Sequence, residues 1–141
     1  LSRYFIAAWK EGHTPITRAK GARIEMMEPL RQFSSAMTTA ELESGELRDA
    51  LIAQKIAALV PLRTGDETIG VILLGARPGG VAYSPDELEY TRGLADQAAV
   101  ALEHAWHFRE TVEKKKLEKE LELAADIQRR LLPATLPAVQ G

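Results

Sequence analysis

The sequence predicts an α+β fold in which an antiparallel sheet is flanked by helices and is followed by one long helix. The first observation is a hairpin pattern, because two apolar runs, residues 56–62 and 68–75, are separated by the turn-forming segment Thr64-Gly-Asp-Glu67. The second is that only Gly93 disfavours helix between Pro85 and Leu132. A helix of that extent would measure about 72 Å at ~1.5 Å per residue, which exceeds the width of a domain of this size. We therefore expect it to extend beyond the sheet.

The composition is that of an ordinary soluble domain and excludes several classes of function. The 141 residues are 45% apolar and 27% charged, with a net charge of -2, so we expect no basic surface for nucleic acid. No apolar run approaches the roughly 18 residues that span a bilayer, and we expect a cytoplasmic protein without membrane contact in this segment. The absence of cysteine excludes disulfides and thiolate metal sites. Because the chain has no initiating Met, we expect a domain and an appendage excised from a longer protein.

Several short elements are expected before the hairpin. The aromatic and β-branched run Arg3–Trp9 predicts a strand. Proline, glycine and scattered charges predict a loop over residues 13–24. Ser44 is a suitable N-cap for a helix that reaches about Lys55. The remaining elements are a helical turn at Glu28–Phe33 and a brief strand at Ser34–Thr39.

The hairpin pattern also predicts where its two strands lie in the sheet. Residues 68–75 are apolar on both faces, which predicts a central strand that is covered on each side. Pro61 has no N–H to donate to a neighbouring strand, so we expect an edge or a bulge at that point of the first strand.

The start of the long helix is the clearest local signal. In Tyr83-Ser-Pro-Asp-Glu-Leu88, Ser84 takes the N-cap position, Pro85 the first helical position and Glu87 the third, which is a capping box. Tyr83 and Leu88 occupy the positions of a hydrophobic staple. We therefore expect the helix to begin at Pro85.

The long helix changes character along its length. Its first half has a broad apolar face that suits packing on a sheet, formed by Leu88, Leu94, Ala95, Ala98, Ala99, Leu102 and Trp106. Its second half is rich in charges, and its apolar residues narrow to a seam with alternating spacings of four and three. The seam residues expected to face a second copy are Leu102, Ala105, Val112, Leu117, Leu121, Ala124 and Leu131. Because Val112 and Leu117 are five residues apart, we predict a parallel dimeric coiled coil with a discontinuity near Lys114–Lys116.

Residues 56–107 resemble the C-terminal half of a GAF domain. The strand–turn–strand of residues 59–75 is followed by Tyr83-Ser-Pro-Asp-Glu-Leu88 and by the alanine-rich stretch Leu94–Ala105, in which His104 stands where the family usually has Asn. Residues 1–55 resemble the family only loosely, and its usual first helix is not represented. The resemblance implies a GAF-like domain over residues 1–107, N-terminally incomplete or completed by another chain, that responds to a small ligand or a partner protein.

The end of the chain resembles the regulatory linker of bacterial PPM-type serine phosphatases that act in sporulation and stress responses. The family pattern A-x-x-I-Q-x-x-L-L-P-x-x-x-P is matched by Ala124-Ala-Asp-Ile-Gln-Arg-Arg-Leu-Leu-Pro-Ala-Thr-Leu-Pro137. The resemblance implies a coiled-coil linker helix at residues 108–132 and the start of a missing phosphatase domain at residues 133–141. That domain is expected to use Mn or Mg and to act on a phosphoserine protein of the anti-sigma-antagonist type. The helix end expected to switch it contains Ile127, Gln128, Leu131 and Leu132.

Candidate small-molecule and metal sites are weak in the sequence. Met26, Met27 and Phe33 could line a ligand pocket between the sheet and its loops, although plain core is the more common role of such residues. His104 and His107 lie three apart with acidic neighbours, but a solvated or dimer-facing helix surface is favoured over a metal site. We therefore assign no catalytic residue, metal or cofactor to this segment.

The sequence thus favours a regulatory sensor and dimerisation module of a metal-dependent protein serine phosphatase. One alternative is a dimerising scaffold without a ligand, in which the GAF fold only braces the coil. The other is a sensor that serves a different output, such as a nucleotide cyclase or a kinase. The ending Leu131-Leu-Pro-Ala-Thr-Leu-Pro137 weighs against that last alternative.

Overall fold

The computed structural model describes residues 3–25 and 27–131. The strands are β1 (Tyr4–Ala8), β2 (Ile16–Lys20), β3 (Met37–Thr38), β4 (Ile56–Thr64) and β5 (Glu67–Gly75), and the α-helices are α1 (Glu46–Ala53) and α2 (Pro85–Leu131). Short 3-10 helices lie at Glu28–Gln32, Thr39–Glu41 and Pro78–Gly80. The chain divides into two compact units, the sheet unit that ends at Ala101 and the helix unit that begins at Leu102.

The five strands form one antiparallel sheet in the order β2-β1-β5-β4-β3. At its centre, Ile72 of β5 lies opposite Ile6 of β1 and Val60 of β4. Eight of the nine β5 positions are at least partly buried, which confirms the expected central strand. Two residues, Gly65 and Asp66, join β4 to β5, and Gly65 has a φ of 58°, a conformation that glycine adopts without a steric penalty.

Both faces of this sheet are covered, because alternate residues of each strand point to opposite sides. The core cluster on one face contains Phe5, Ala7, Leu59, Val71 and Leu73 from the strands, and Trp9, Ile24, Leu30, Leu42 and Leu51 from the segments between them. The buried strand residues of the other face include Ala8, Ala58, Val60, Leu62 and Leu74. Within the sheet unit, α2 contributes a buried stripe of Leu88, Ala95 and Ala99. The small side chains of the two alanines suit close packing of a helix on a sheet.

The start of α2 confirms the predicted cap. The Oγ of Ser84 accepts a hydrogen bond from the N–H of Glu87 at 3.2 Å, and the carbonyl of Ser84 accepts the N–H of Leu88 at 3.0 Å. Tyr83 donates its hydroxyl proton to the carbonyl of Gly75 at 2.6 Å. The end of β5 and the start of the helix are thereby joined, and the helix continues from Pro85 to Leu131.

Residues 13–24 were expected to form a loop, and this prediction is wrong for β2. The strand pairs with β1 along its whole length, with Arg18 opposite Ile6. β2 is an edge strand of the sheet, and all five of its residues are exposed, so neither of its faces is covered. It therefore has no alternation of buried and exposed residues, which is the pattern from which strands are predicted.

Two further expectations need correction. Ser44 does not cap α1, since the N-cap residue is Gly45 in an extended conformation and no side chain caps the helix; Ser44 instead accepts a hydrogen bond from Arg48 at 3.4 Å. Leu94, placed on the packing face of α2, is 48% exposed. The reason is angular, because successive residues of a helix are about 100° apart and the buried stripe runs through Ala95 and Ala99.

The irregularity expected at Pro61 lies on either side of it. Pro61 pairs in register with Val71, and the register shifts fall between Ile56 and Ala58 and between Leu62 and Arg63. The pairing with β3 involves only Ala58 and Leu59. Pro61 therefore lies beyond the end of β3, where a missing N–H interrupts no ladder with that strand.

Candidate functional site

A wide cleft of the sheet unit lies where β1 ends and the β4–β5 hairpin turns. It has a volume of about 860 Å³ and is bordered by Trp9, Arg31, Arg63 and Thr68, among others. Trp9 follows β1, Arg31 belongs to the 3-10 helix Glu28–Gln32, and Arg63 and Thr68 are paired residues of the hairpin. Three chain segments that are far apart in sequence therefore meet at this cleft.

Thr68 is the polar centre that holds these segments together. Only 8% of its surface is exposed. Its hydroxyl donates to the carbonyl of Phe33 at 2.6 Å and accepts a hydrogen bond from Nη1 of Arg63 at 2.6 Å. Its carbonyl accepts the indole N–H of Trp9 at 3.1 Å. A displacement of the loop at Phe33 would therefore move Thr68 and disturb its hydrogen bonds to both the hairpin and the end of β1.

The charges around the cleft are mixed. The guanidinium of Arg31 lies 5.2 Å from the centre of the Trp9 ring, an arrangement that favours a cation–π interaction. The same guanidinium is 3.5 Å from the carboxylate of Glu28, and the carboxylates of Asp66 and Glu67 also border the cleft. Guanidinium groups bind carboxylates and phosphates well, but the neighbouring acids offset a general attraction for anions. The cleft suits a small polar ligand with both donors and acceptors.

The three predicted pocket residues are not brought together in this cleft. Met27 and Phe33 are half-buried and pack against the core cluster. Met27 borders a separate cleft of about 380 Å³, and Phe33 borders another of about 430 Å³. Met26 lies outside the described residues. Their role in ligand binding stays a prediction.

Sequence reasoning missed the residues that line the cleft beside Trp9. A usable signal was present, because Arg63 and Thr68 flank the predicted turn, and a hairpin places such residues side by side. The contribution of Trp9 and Arg31 had no such signal, since they meet only after β1 and the 3-10 helix have packed.

The two histidines of α2 lie on the helix unit. His107 is between two carboxylates, with Nε2 at 3.9 Å from Glu103 and Nδ1 at 3.8 Å from Glu110, while His104 is exposed. Across residues 3–25 and 27–131, no three His, Cys, Asp or Glu side chains are arranged to hold a metal ion. In the same part of the chain, no helix is long and apolar enough to cross a membrane.

The helix unit exposes large apolar side chains along α2. The exposed fractions of predicted seam residues are 48% for Val112, 56% for Leu117, 61% for Leu121 and 68% for Leu131. Ala105 and Ala124 are also exposed, and Leu102 is half-buried. Of the predicted switch residues, Ile127 is 49% exposed and Gln128 is exposed, whereas Leu132 lies outside the described residues. Phe108 and Leu123, at 72% and 62%, were not among the predicted residues.

A comparison with protein families decides the identity of the sheet unit. The family pattern described as GAF domain matches residues 6–104. The chain belongs to the GAF family. The α+β fold that the sequence predicted is thereby confirmed, with its five-stranded antiparallel sheet and long C-terminal helix.

One solved structure extends the likeness of this GAF domain to a signalling protein. It is a domain of a protein described as a putative two-component sensor histidine kinase, from Sinorhizobium meliloti 1021. The TM-score is 0.53 with 20% sequence identity, over 77% of this chain and 84% of that chain, so the likeness is one of fold. No curated protein matches the sequence. Because the family match ends at residue 104, the function of the helix beyond the GAF domain has to be argued from its own surface.

Proposed function

We propose that this chain is the sensor and dimerisation module of a metal-dependent, PPM-type bacterial serine phosphatase. In this proposal the GAF domain receives a ligand or partner signal, and a parallel pair of α2 helices passes the signal to a catalytic domain located after residue 141. The observation that carries the proposal is the surface of the helix unit, where the large predicted seam residues Val112, Leu117, Leu121 and Leu131 are 48–68% exposed on a helix that begins inside the GAF domain.

Dimerisation is favoured by the energetics of such a helix. A single charged helix in water is marginally stable, because nucleation is costly and propagation gains little without packing. Burial of a leucine side chain contributes about 1.5–3 kcal/mol, and Leu117, Leu121 and Leu131 are all available for it. A second copy of the chain offers the same residues at the same spacing, which is the requirement for a two-fold symmetric interface.

The phosphatase output is supported by the resemblance of residues 124–137 to the linker of that family. In this proposal the helix end that contains Ile127, Gln128, Leu131 and Leu132 orders or releases elements of the active site in the catalytic domain. The catalytic domain would hold Mn or Mg and would remove phosphate from a phosphoserine protein of the anti-sigma-antagonist type. The proposal places no catalytic group in residues 1–141.

The input is proposed to act at the polar cleft of the GAF domain. A ligand can shift an equilibrium only by its differential affinity for the two conformations. The hydrogen bonds of Thr68 to Phe33 and Arg63 provide a contact that such a ligand would strengthen or break, since all three residues lie at or beside the cleft.

The test is a seam substitution in the full-length parent phosphatase. Leu121→Asp places a carboxylate in the proposed seam, and Thr111→Asp places the same group elsewhere on the helix as a matched control. We expect Leu121→Asp to lower dimer affinity by at least about 100-fold in sedimentation experiments, because a charge replaces a buried leucine. Phosphatase activity towards a phosphoserine protein should change with it, while Thr111→Asp leaves both unchanged. A dimer and an activity that Leu121→Asp does not alter would contradict the proposal.

A kinase output is a second candidate, favoured by the fold likeness to a domain from a protein described as a sensor histidine kinase. The two outputs differ in the domain that comes after the helix. The stretch of the parent gene after residue 141 separates them, because an early Gly-Gly-Asp-type metal motif after a strand is expected for the phosphatase and not for the kinase.

A ligand-free scaffold is favoured by one feature of the GAF core. Leu30 of the first 3-10 helix and Leu51 of α1 are fully buried in one cluster with Leu59 and Leu73 of the sheet. Their side chains fill the space that an internal ligand would need. A thermal-shift screen of small metabolites against the whole chain separates the two roles, because a scaffold gives no stabilisation with any of them.

A further inference from the structure

Part of the helix unit carries two overlapping apolar seams. Leu117, Ala124 and Leu131 recur every seven residues and form one row along α2, which we name the shared row. Leu121 and Gln128 complete the row to an alternating spacing of four and three. Glu120 and Ile127 complete the same row to a spacing of three and four. Either completed set has the pattern of a coiled-coil core.

The two completing pairs lie on opposite sides of the shared row. At about 100° per residue, Leu121 and Gln128 lie roughly 40–60° to one side of the row. Glu120 and Ile127 lie roughly 40–60° to the other side. A two-stranded coiled coil places only one such set at its core. The two sets therefore correspond to orientations of the helix that differ by a rotation of about 50° around its own axis.

We infer that α2 pairs with a second copy of this chain in two alternative packings. In the Leu121 packing, Leu121 and Gln128 join the shared row at the core. In the Ile127 packing, Glu120 and Ile127 replace them. The inference rests on the dimer of the proposed function and adds to it the identity of the two conformations.

The second copy is the occupant that fits both seams. From Val112 to Leu131 every residue is exposed except the half-buried Asp126, so no described part of the helix unit covers these apolar groups. Leu117, Leu121, Ile127 and Leu131 are each 49–68% exposed. A repeat of seven residues is matched by another helix with the same repeat, and an identical chain supplies it in register by symmetry.

Each packing places a polar residue at its core between Leu117 and Leu131, so neither gains the full stability of an apolar seam. The Leu121 packing buries Gln128, whose amide can hydrogen-bond to the same residue of the second helix. It also brings Glu113 and Glu118 to flanking positions that face each other in a parallel pair, where like charges repel. The Ile127 packing moves Glu118 away from the interface, but the same spacing continued upstream puts Glu113 as well as Glu120 at the core, where the carboxylates of the two copies meet. Both packings therefore place polar or charged groups at or beside the core, which lowers the stability of each.

The rotation controls the access of a partner to Ile127. In the Leu121 packing Ile127 stays outside the core and is available to a domain placed after the helix. In the Ile127 packing the same side chain is buried between the two helices. A signal that rotates α2 would thus expose or withdraw the apolar residue that the proposed function assigns to the catalytic domain.

Disulfide cross-linking in the full-length parent measures the two packings directly, because residues 1–141 contain no cysteine. Leu121→Cys reports the Leu121 packing and Ile127→Cys reports the Ile127 packing, since only core positions bring two cysteines within about 4.4–6.8 Å of Cα separation. Lys119→Cys lies away from both seams and gives the background. Any native cysteine of the parent is first replaced by serine.

Two further substitutions, each of which stabilises one packing only, test whether the equilibrium can be shifted in both directions. Gln128→Leu adds apolar core to the Leu121 packing only, and Glu120→Leu adds it to the Ile127 packing only. We expect Gln128→Leu to raise cross-linking at residue 121 relative to residue 127 by at least about fivefold, and Glu120→Leu to lower that ratio by a similar factor. A two-state equilibrium requires the opposite signs.

The outcomes separate this inference from the proposed function. A dimer that cross-links at residue 121, with a ratio that Glu120→Leu leaves unchanged, overturns the alternative packing and keeps the dimer. If either substitution raises cross-linking at residues 121 and 127 together, the alternative packing is overturned as well, because both positions then lie in the core of one bundle. A monomer in sedimentation with background cross-linking throughout overturns both.

Discussion

The sheet unit and the helix unit use the same apolar residues in opposite ways. In the sheet unit Leu59 and Leu73 are fully buried, whereas Leu117 and Leu121 of the helix unit are 56% and 61% exposed. Burial of a leucine side chain away from water favours the folded state in either unit. Within the described residues, the sheet unit buries its apolar groups against each other, whereas the helix unit leaves them exposed; the proposed second copy would cover them.

The polar interactions of the two units differ in the same sense. Thr68 of the sheet unit joins residues 35 positions apart by a part-buried hydrogen bond to Phe33. The ion pair between Arg130 and Asp126 of the helix unit spans four residues, and its side chains are 79% and 50% exposed. Exposed pairs of this kind contribute about 0.3–0.5 kcal/mol. Local pairs therefore support the helix but do not fix it in one tertiary arrangement.

The largest change in the free energy of unfolding is expected when a core leucine is replaced. Leu73→Ala in the sheet unit should lower the free energy of unfolding by about 2–5 kcal/mol, because it leaves a cavity in a filled core. Leu123→Ala in the helix unit, at 62% exposure, should change it by less than about 0.5 kcal/mol. Urea denaturation of the whole chain measures both. Equal losses would remove the distinction between the units.

The next largest change in stability is expected when either of two glycines is replaced by alanine. In Gly70→Ala the added Cβ would lie 2.5 Å from the carbonyl oxygen of Ala7 and 2.6 Å from Cδ1 of Leu62, so the central strands must shift. We expect a loss of about 2–3 kcal/mol. Gly93→Ala in α2 meets no atom within 4 Å and should stabilise the chain by up to about 1 kcal/mol, because alanine favours helix. Thermal unfolding should shift in opposite directions for the two variants, and a shared direction would contradict the packing described for β5.

The smallest change in stability is expected at Thr68, the polar centre of the cleft. Thr68→Val keeps the side-chain shape but leaves the carbonyl of Phe33 without the 2.6 Å hydrogen bond, which should cost about 1–2 kcal/mol. Thr68→Ser retains the hydroxyl and is the matched control. Denaturation midpoints give the cost. If the serine variant is destabilised as much as the valine variant, the hydroxyl is not what joins Phe33 to the hairpin.

Local sequence signals were sufficient wherever a structure depends on neighbours in the chain. Ser84 and Glu87 are three residues apart, so their capping interaction could be predicted before the fold was known. The hairpin of β4 and β5 and the continuous helix from Pro85 were predicted for the same reason. These predictions are confirmed.

The same reasoning failed where a residue depends on distant partners. β2 is a strand because β1 pairs with it, although all five of its residues are exposed. Leu94 lies outside the packing face because the buried stripe of α2 runs through Ala95 and Ala99. The cleft beside Trp9 could not be predicted, since Arg31 reaches the indole only after the 3-10 helix has packed.

The sequence by itself determined the fold class, the family resemblance and the heptad spacing of α2, because all three are encoded by periodicity and short motifs. The tertiary structure decided which apolar residues are covered and which polar groups meet at the cleft. The physical reason is that burial depends on the closest approach of segments remote in sequence. Val112, Leu117 and Leu131 stay exposed because nothing in the described helix unit approaches them.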